Sequence, residues 1–307
     1  MLDLLVIGDA NPDVIVGPLR EPLAFGQREQ LVSSGVLTLG GSAAIMACGA
    51  ATLGLSVAFA GRVGDDGAGR FMREALTAHG VNTSALHTDP DLPTPLTVII
   101  TRDGDRAMLT AEGVLAATNA ADVPAEMLAE TRHVHVASYF LMPALAPALP
   151  DLLRLAREHG ATTSLDTNDD PAGTWSLGSV LTETDVLLPN AAEAMRLAGA
   201  DSPAAAATSL AARGPVVAVK NGAAGAMCFT GGSLLSTKGI TVSPVDTVGA
   251  GDSFDAGFVA ARLRGMTDQR ALDFAAVCGA LSTMAPGGTA SQPTWDEAMS
   301  YLEESRA

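Results

Sequence analysis

The sequence predicts an α/β protein built on a mainly parallel central sheet. Two observations carry that prediction. Apolar strand runs alternate with Ala-rich helical runs along most of the chain, and two stretches with no helical pattern, residues 11–39 and 93–112, interrupt the rhythm. Such alternation marks βαβ units, in which crossing helices bury parallel strands on both faces. With 307 residues the chain can bury an ample core, as one large domain or two small ones.

The elements follow in order. Leu2–Ile7 is an apolar strand containing Asp3. It does not read as a signal peptide, and no window reaches the ~18 uninterrupted apolar residues of a membrane span, so a cytoplasmic protein is expected. Small and apolar residues after Gly40-Gly41 predict a helix over Ser42–Leu53, followed by a strand over Ser56–Ala60 and a helix over Ala68–His79. The stretch 93–112 contains the β-prone segments Leu96–Thr101 and Ala107–Thr110. Alternation then resumes with strand His133–Ala137, helix Pro147–His159 and strands Thr163–Asp166 and Val186–Leu188. Helices Ala191–Ala198 and Pro203–Arg213 lead to strand Val216–Lys220. Three helices close the chain, Ser253–Arg264, Asp268–Met284 and Thr294–Glu303. The run Ala204 to Ala207 reads as helix surface, and neither a repeat nor a Ser/Gly-rich linker is present.

A formal net charge of −16 argues against nucleic acid, whose phosphates call for clustered Lys and Arg; solubility is a sufficient reason for the acidity. Cys48, Cys228 and Cys278 are widely spaced among apolar residues and read as buried thiols in a reducing compartment. His79, His87, His133, His135 and His159 form no metal-ligand spacing, and no catalytic role is assigned to them.

The chemistry concentrates in Asp246-Thr247-Val248-Gly249-Ala250-Gly251-Asp252-Ser253-Phe254, which runs into a helix. Small residues from Gly249 to Gly251 let successive N–H groups converge, and the helix start adds its positive dipole end, so an anion would sit well there. Asp252 at its lip is placed to accept a proton from an attacking hydroxyl. A plainer reading is a glycine turn capped by Asp252 or Ser253. A dinucleotide fingerprint is excluded because Phe254 stands where the third glycine belongs, and a P-loop because Val219 and Thr237 precede the lysines Lys220 and Lys238.

The nonapeptide resembles the C-terminal signature of the ribokinase-like (PfkB) family of carbohydrate and nucleoside kinases. The family's N-terminal signature also occurs in order, as Gly40-Gly41-Ser42-Ala43-Ala44 and then Ala60-Gly61-Arg62-Val63-Gly64-Asp65-Asp66-Gly67-Ala68-Gly69. This resemblance spans essentially the whole chain. It implies a ribokinase-like three-layer α/β/α domain over residues 1–307, with residues 11–39 and 93–112 forming a small β-sheet lid that excludes water. It implies an ATP- and Mg2+-dependent kinase, with Asp252 as general base and Gly249, Ala250 and Gly251 as the anion hole.

The same resemblance assigns the remaining site residues. Asn11 and Asp13, at the end of the first strand, match positions that hold substrate hydroxyls, although Asn-Pro-Asp is also a good turn. Gly40 and Gly41 let backbone N–H groups approach a sugar. Relatives have Asn where this chain has Ile45, which removes a polar handle and places an apolar group beside the sugar. Asn190 and Glu193 match an Asn-x-x-Glu element that orders Mg2+ and its waters, a cap with a first-turn glutamate being the alternative. Lys220, Gly222 and Gly225 match a nucleotide loop, with Lys220 either near phosphate or at a solvated strand end. Asp246, Val248, Ser282, Ala285, Gly287 and Ser291 match positions that hold a monovalent cation, K+. Some relatives have Arg near the position of Asp170, contacting acidic sugars or phosphates, and its absence argues against an anionic sugar substrate. The reading is a kinase of a small sugar; a nucleoside kinase and a non-catalytic sugar or nucleotide sensor are the alternatives, and substrate choice would lie in the lid and in strand ends such as Ser138 and Tyr139. An exposed lid sheet offers an edge for pairing into a homodimer.

Overall fold

The computed structural model describes residues 2–103 and 105–304; residues 1, 104 and 305–307 of the expected 1–307 domain lie outside the described residues. Two sheets organise the chain. The larger has nine strands in the order β13-β12-β11-β10-β9-β8-β1-β4-β5, and the smaller has four in the order β3-β2-β6-β7.

In the large sheet, β1 (Leu2–Ile7) pairs in parallel with β4 (Val57–Gly64) and β8 (Thr131–Val136). Beyond β4 lies β5 (Asn82–Asp89), and beyond β8 lie β9 (Thr162–Leu165), β10 (Val186–Leu187) and β11 (Val216–Lys220), all parallel. An antiparallel hairpin, β12 (Ala226–Thr230) and β13 (Ser233–Thr237), finishes that edge.

Alternation along β1 explains the layering. Leu4 and Val6 point into one core and Leu5 and Ile7 into the other, all fully buried, so a continuous apolar run satisfies two faces at once. The first core packs under α1 (Ser42–Thr52), α2 (Gly67–Ala78), α7 (Ala250–Leu263), α8 (Asp268–Leu281) and α9 (Trp295–Glu304). The second packs under α3 (Ala125–Glu130), α4 (Leu149–Glu158), α5 (Ala191–Ala198) and α6 (Pro203–Ala211). The expected three-layer arrangement around a mainly parallel sheet is present.

Both non-helical stretches join the small sheet. Its strands are β2 (Asn11–Gly17), β3 (Ser34–Gly40), β6 (Leu96–Arg102) and β7 (Asp105–Ala111), and β7 is exposed along its whole length. The sequence reading missed β5, α3 and the β12–β13 hairpin. β5 is an edge strand with scattered burial, α3 buries Leu128 alone, and the hairpin interrupts the βαβ rhythm from which the other strands were inferred. The helix expected to reach Met284 ends at Leu281 and continues as a 3-10 turn over Ser282–Met284. Cys48, Cys228 and Cys278 are buried free thiols, as expected. Among the described residues no helix is long and apolar enough to cross a membrane.

Candidate active site

The C-terminal ends of β1, β8, β9 and β11 open toward the N-termini of α1 and α7, where open parallel sheets bind ligands. Helix α7 starts from Gly249 at φ 73°, and a Cβ there would lie 2.6 Å from the Gly288 Cα, so both the turn and the packing require glycine. Asp246 fixes the approach to this helix. One of its carboxylate oxygens accepts the Val248 N–H (3.0 Å) and the other the Gly287 N–H (3.0 Å), which ties the cradle loop to the segment after α8. The first N–H groups of α7 have no acceptor within their own helix; that of Ala250 meets the Thr247 carbonyl at 3.4 Å, a long contact that an anion can replace.

Asp252, in the first turn of α7, accepts a short hydrogen bond from the Ser42 hydroxyl at the start of α1. Asn168 donates to the same Ser42 oxygen (3.0 Å), and its side-chain oxygen accepts the Ser138 N–H (2.7 Å). Ser138 and Asn168 both adopt left-handed backbone, at φ 57° and 54°, an uncommon conformation for residues other than glycine that here turns two strand ends toward Asp252. Burial pushes the Asp252 carboxyl up to about 7; Ser42 and Lys220 oppose the shift, and Asp166 and Asp9 add to it. Near neutral pH the group can therefore both accept and return a proton.

Asp9 caps α1 by accepting the Ser42 (3.1 Å) and Ala43 (3.0 Å) N–H groups. Asn11 and Asp13, buried at the start of β2, are joined by a 2.9 Å hydrogen bond, and Asn11 also donates to Thr97 (3.1 Å) on β6. Burial and the nearby Asp9 push Asp13 up to about 7, against the pull of Arg106. The glycines at 40 and 41 also have a steric reason. A Cβ at Gly40 would lie 2.1 Å from the Asp13 carboxyl carbon, and one at Gly41 would lie 2.8 Å from the Asp9 carbonyl oxygen. They make room for the carboxylate that faces the site and for its strand.

Two expectations change. Ile45 is buried beneath the cradle, with its side chain against Gly249 and Gly288, so it offers no apolar wall beside a ligand. Lys220 turns inward, its ammonium 2.6 Å from Asp166 and 3.0 Å from Asp255, under Gly251; it is neither a solvated strand end nor a free phosphate ligand. Gly225 is required by the chain itself, because a Cβ there would lie 2.1 Å from the Thr237 carbonyl oxygen, whereas Gly222 at φ 54° faces open space.

Around Lys220 the acids separate. Burial works to raise Asp166, but the ammonium and hydrogen bonds outweigh it and hold Asp166 below the usual carboxylate range. Asp255 is pushed well above that range by burial. One carboxylate oxygen each from Asp166, Asp252 and Asp255 lies within 4.8 Å of the other two, a spacing able to hold a cation, and Lys220 already supplies a positive charge there.

Asn190 and Glu193 form a reciprocal capping box at the start of α5: Asn190 accepts the Glu193 N–H (3.0 Å), and Glu193 accepts the Asn190 N–H (2.8 Å). Burial and Asp166 push Glu193 up to about 7, so the pair also fits a divalent cation, whose charge would relieve the repulsion. Of the residues expected around a monovalent cation, Ser291 donates to the Ser282 carbonyl (2.7 Å), and Asp246 accepts the Gly287 and Val248 N–H groups.

The second half of the N-terminal signature is structural. Arg62 bridges Asp89 (2.7 Å) and Asp122 (2.9 Å), while Asp66 caps α2 through Gly69 (2.7 Å) and holds the Thr94 N–H (2.8 Å). Sequence reasoning assigned no role to Ser42, Asn168, Asp9, Asp166 or Asp255, although each stood in or beside a motif or strand end. Arg106, which reaches Thr247 of the cradle loop (3.3 Å), carried no local signal because the two lie 141 positions apart. A separate cavity of about 360 Å3, lined by His133, His159 and Arg262 among others, holds none of the expected site residues.

Comparison with known proteins gives the family and the fold. The family described as pfkB family carbohydrate kinase matches residues 1–295. An ATP-dependent ribose-1-phosphate kinase from Halopiger xanaduensis is 33% identical over 305 residues, covering 99% of each chain. The structure of Arabidopsis thaliana ribokinase complexed with ribose and ATP superposes with a TM-score of 0.85 at 25% identity, covering 98% of this chain and 99% of that one. A fructokinase double mutant from Vibrio cholerae, bound to fructose, ADP and potassium ion, has a TM-score of 0.81 at 25% identity, with 98% of each chain covered.

Proposed function

We propose a function from one premise: the chain belongs to the pfkB family of carbohydrate kinases. It is a sugar kinase, a phosphotransferase with a hydroxyl acceptor. Within that class, we read residues 1–307 as one kinase unit that transfers the γ-phosphoryl group of ATP to a hydroxyl of a small sugar, with segments 11–39 and 93–112 as its lid. The observation that carries this reading is Asp252, a carboxyl poised near neutrality at the start of the helix that forms the anion cradle.

Asp252 acts as the general base. A sugar hydroxyl entering the site takes over the hydrogen bond that Ser42 now makes to Asp252, and Asn168 keeps the Ser42 oxygen paired meanwhile. As the hydroxyl oxygen bonds to phosphorus and the bond to the departing ADP oxygen breaks, Asp252 takes the proton. The Gly249, Ala250 and Gly251 N–H groups stabilise the charge that develops on the phosphoryl oxygens. Asn11 and Asp13 hold other hydroxyls of the sugar. Bound Mg2+, ordered by Asn190 and Glu193, would supply neutralisation of the phosphate charge. Gly222 borders the nucleotide, and the Asp246–Ser291 cluster, with Val248, Ser282, Ala285 and Gly287, would hold K+, an ion present in the fructokinase structure. Lys220 sets the field beneath the cradle from its position between Asp166 and Asp255.

The test is ATP consumption across a panel of sugars, by the wild type and by Asp252→Asn. We expect one or more sugars to be phosphorylated and the variant to lose roughly 10²–10⁴ in kcat with its fold intact, the usual contribution of a positioned proton acceptor. A variant within tenfold of wild type would remove Asp252 from the mechanism.

A further inference from the structure

The small sheet presents a positive charge to the site. In its register Asp13 lies opposite Thr97, Thr97 opposite Thr110, Ile99 opposite Met108 and Thr101 opposite Arg106. Alternate strand residues share a face, so Arg106 stands on the same face as Asp13 and Thr97, the face that meets the cradle loop through the 3.3 Å contact with Thr247. Among the described residues Arg106 forms no ion pair; it is exposed, donates to Thr247 and acts electrostatically on Asp13.

Other cations near the site are committed. Lys220 is held by Asp166 and Asp255, and Arg196 pairs with Asp169 (3.4 Å) and lies over Trp175 at 5.1 Å. Sugar hydroxyls find acceptors in Asn11 and Asp13. Arg106 adds a planar fork of donors with no acceptor, and the ligand that matches such a fork is an oxyanion.

We propose that the substrate of this site carries an oxyanion, a phosphate or a carboxylate, which Arg106 grips from the small sheet while Asn11 and Asp13 hold the hydroxyls. This rests on the sugar-kinase reading above. It reverses the expectation drawn from the missing arginine near Asp170, since the guanidinium arrives from a different strand. The ribose-1-phosphate kinase similar to this chain over its whole length is named for a substrate of this kind.

Kinetics on matched pairs test it. Wild type, Arg106→Gln and Arg106→Lys are assayed with ribose against ribose 1-phosphate and fructose against fructose 1-phosphate, and also with 2-dehydro-3-deoxygluconate, at two salt concentrations. The expected result is at least a tenfold kcat/KM advantage for a charged compound, weakening with salt. Arg106→Gln should lose at least ten times more on the charged compound than on neutral ones, and Arg106→Lys should recover part of the loss. Preference for the esters assigns a phosphate, and preference for the acid assigns a carboxylate. A preference for uncharged sugars, or an equal loss on charged and neutral compounds, would overturn the proposal and leave Arg106 as a latch on Thr247 or a nucleotide contact. Calorimetric binding of the same pairs to Asp252→Asn, with and without Arg106→Gln, reads the contact without turnover. Failure of wild type to phosphorylate any compound would count against the kinase reading, while charge-selective binding lost in Arg106→Gln would still uphold the role of Arg106.

Discussion

Asp252 shows how a single residue is tuned by neighbours drawn from distant parts of the chain. Ser42 and Asn168 orient it, Lys220 draws its pKa down, and burial with Asp166 and Asp9 lifts it to about 7. In the proposed mechanism the ionised form is the base, so kcat/KM should fall as pH drops below about 7, by about tenfold per pH unit for one essential group. Asp13 also sits at about 7, so the limb belongs to both carboxyls and should steepen if both must ionise; Asp13→Asn should reduce its slope. The same shift opposes stability. A carboxyl raised on folding favours the protonated native state, so its contribution is full below the ordinary carboxylate range and is lost as pH rises through 7. Asp252→Asn should therefore melt higher than wild type at pH 8, with the gain shrinking as pH falls below 7. A variant that melts lower at pH 8 would mean that Ser42 and Lys220 more than offset the burial of the charge.

Among elements, the glycine-bearing turns separate by what a side chain would meet. At Gly249 an alanine would face both left-handed backbone and the Gly288 Cα, with neither neighbour free to move, so Gly249→Ala should cost about 1–3 kcal/mol and distort the start of α7. Gly222 has the left-handed backbone but open space around it. Gly222→Ala should then cost only about 1 kcal/mol, and a rise in KM for ATP beyond what that strain explains would identify the loop as a nucleotide contact. Urea denaturation together with steady-state kinetics separates the two effects. Much at this scale was legible beforehand. Strands buried on both faces are continuous apolar runs, so β1 and β11 could be read directly, whereas β5 and the β12–β13 hairpin take their order from edge pairing that leaves little trace in composition.

For the whole molecule, the small sheet is the part left incomplete. Leu37 on β3 and Leu109 on β7 lie on the face turned away from Asp13 and are more than half exposed, at 57% and 60%. Exposed apolar side chains on a sheet with free edges favour pairing with a second copy. Sedimentation should give a homodimer at micromolar concentration, weakened by Leu109→Asp, and a monomer at all concentrations would leave that face without a partner. Since Arg106 belongs to the same β7, loosening the dimer should also raise KM for the sugar.

What the sequence determined by itself was most of the order of strand and helix and which residues to propose as the reacting groups. Hydrophobic period and glycine-rich turns are local properties, and a cradle ending in Asp252 is contained within nine consecutive residues. The tertiary structure decided what each of those groups faces. Lys220 reads as a phosphate neighbour or a solvated strand end until β10 joins β11 to β9 and α7 packs over them, at which point Asp166 and Asp255 capture its ammonium. Ile45 reads as a ligand contact until α1 packs against the cradle, where it becomes core. Arg106 has no meaning along the chain at all, because its partners Thr247 and Asp13 are brought to it only by the pairing of β7 in a second sheet folded against the first. Charge and burial act through space, so the residues that set a pKa or grip a ligand need share no sequence neighbourhood.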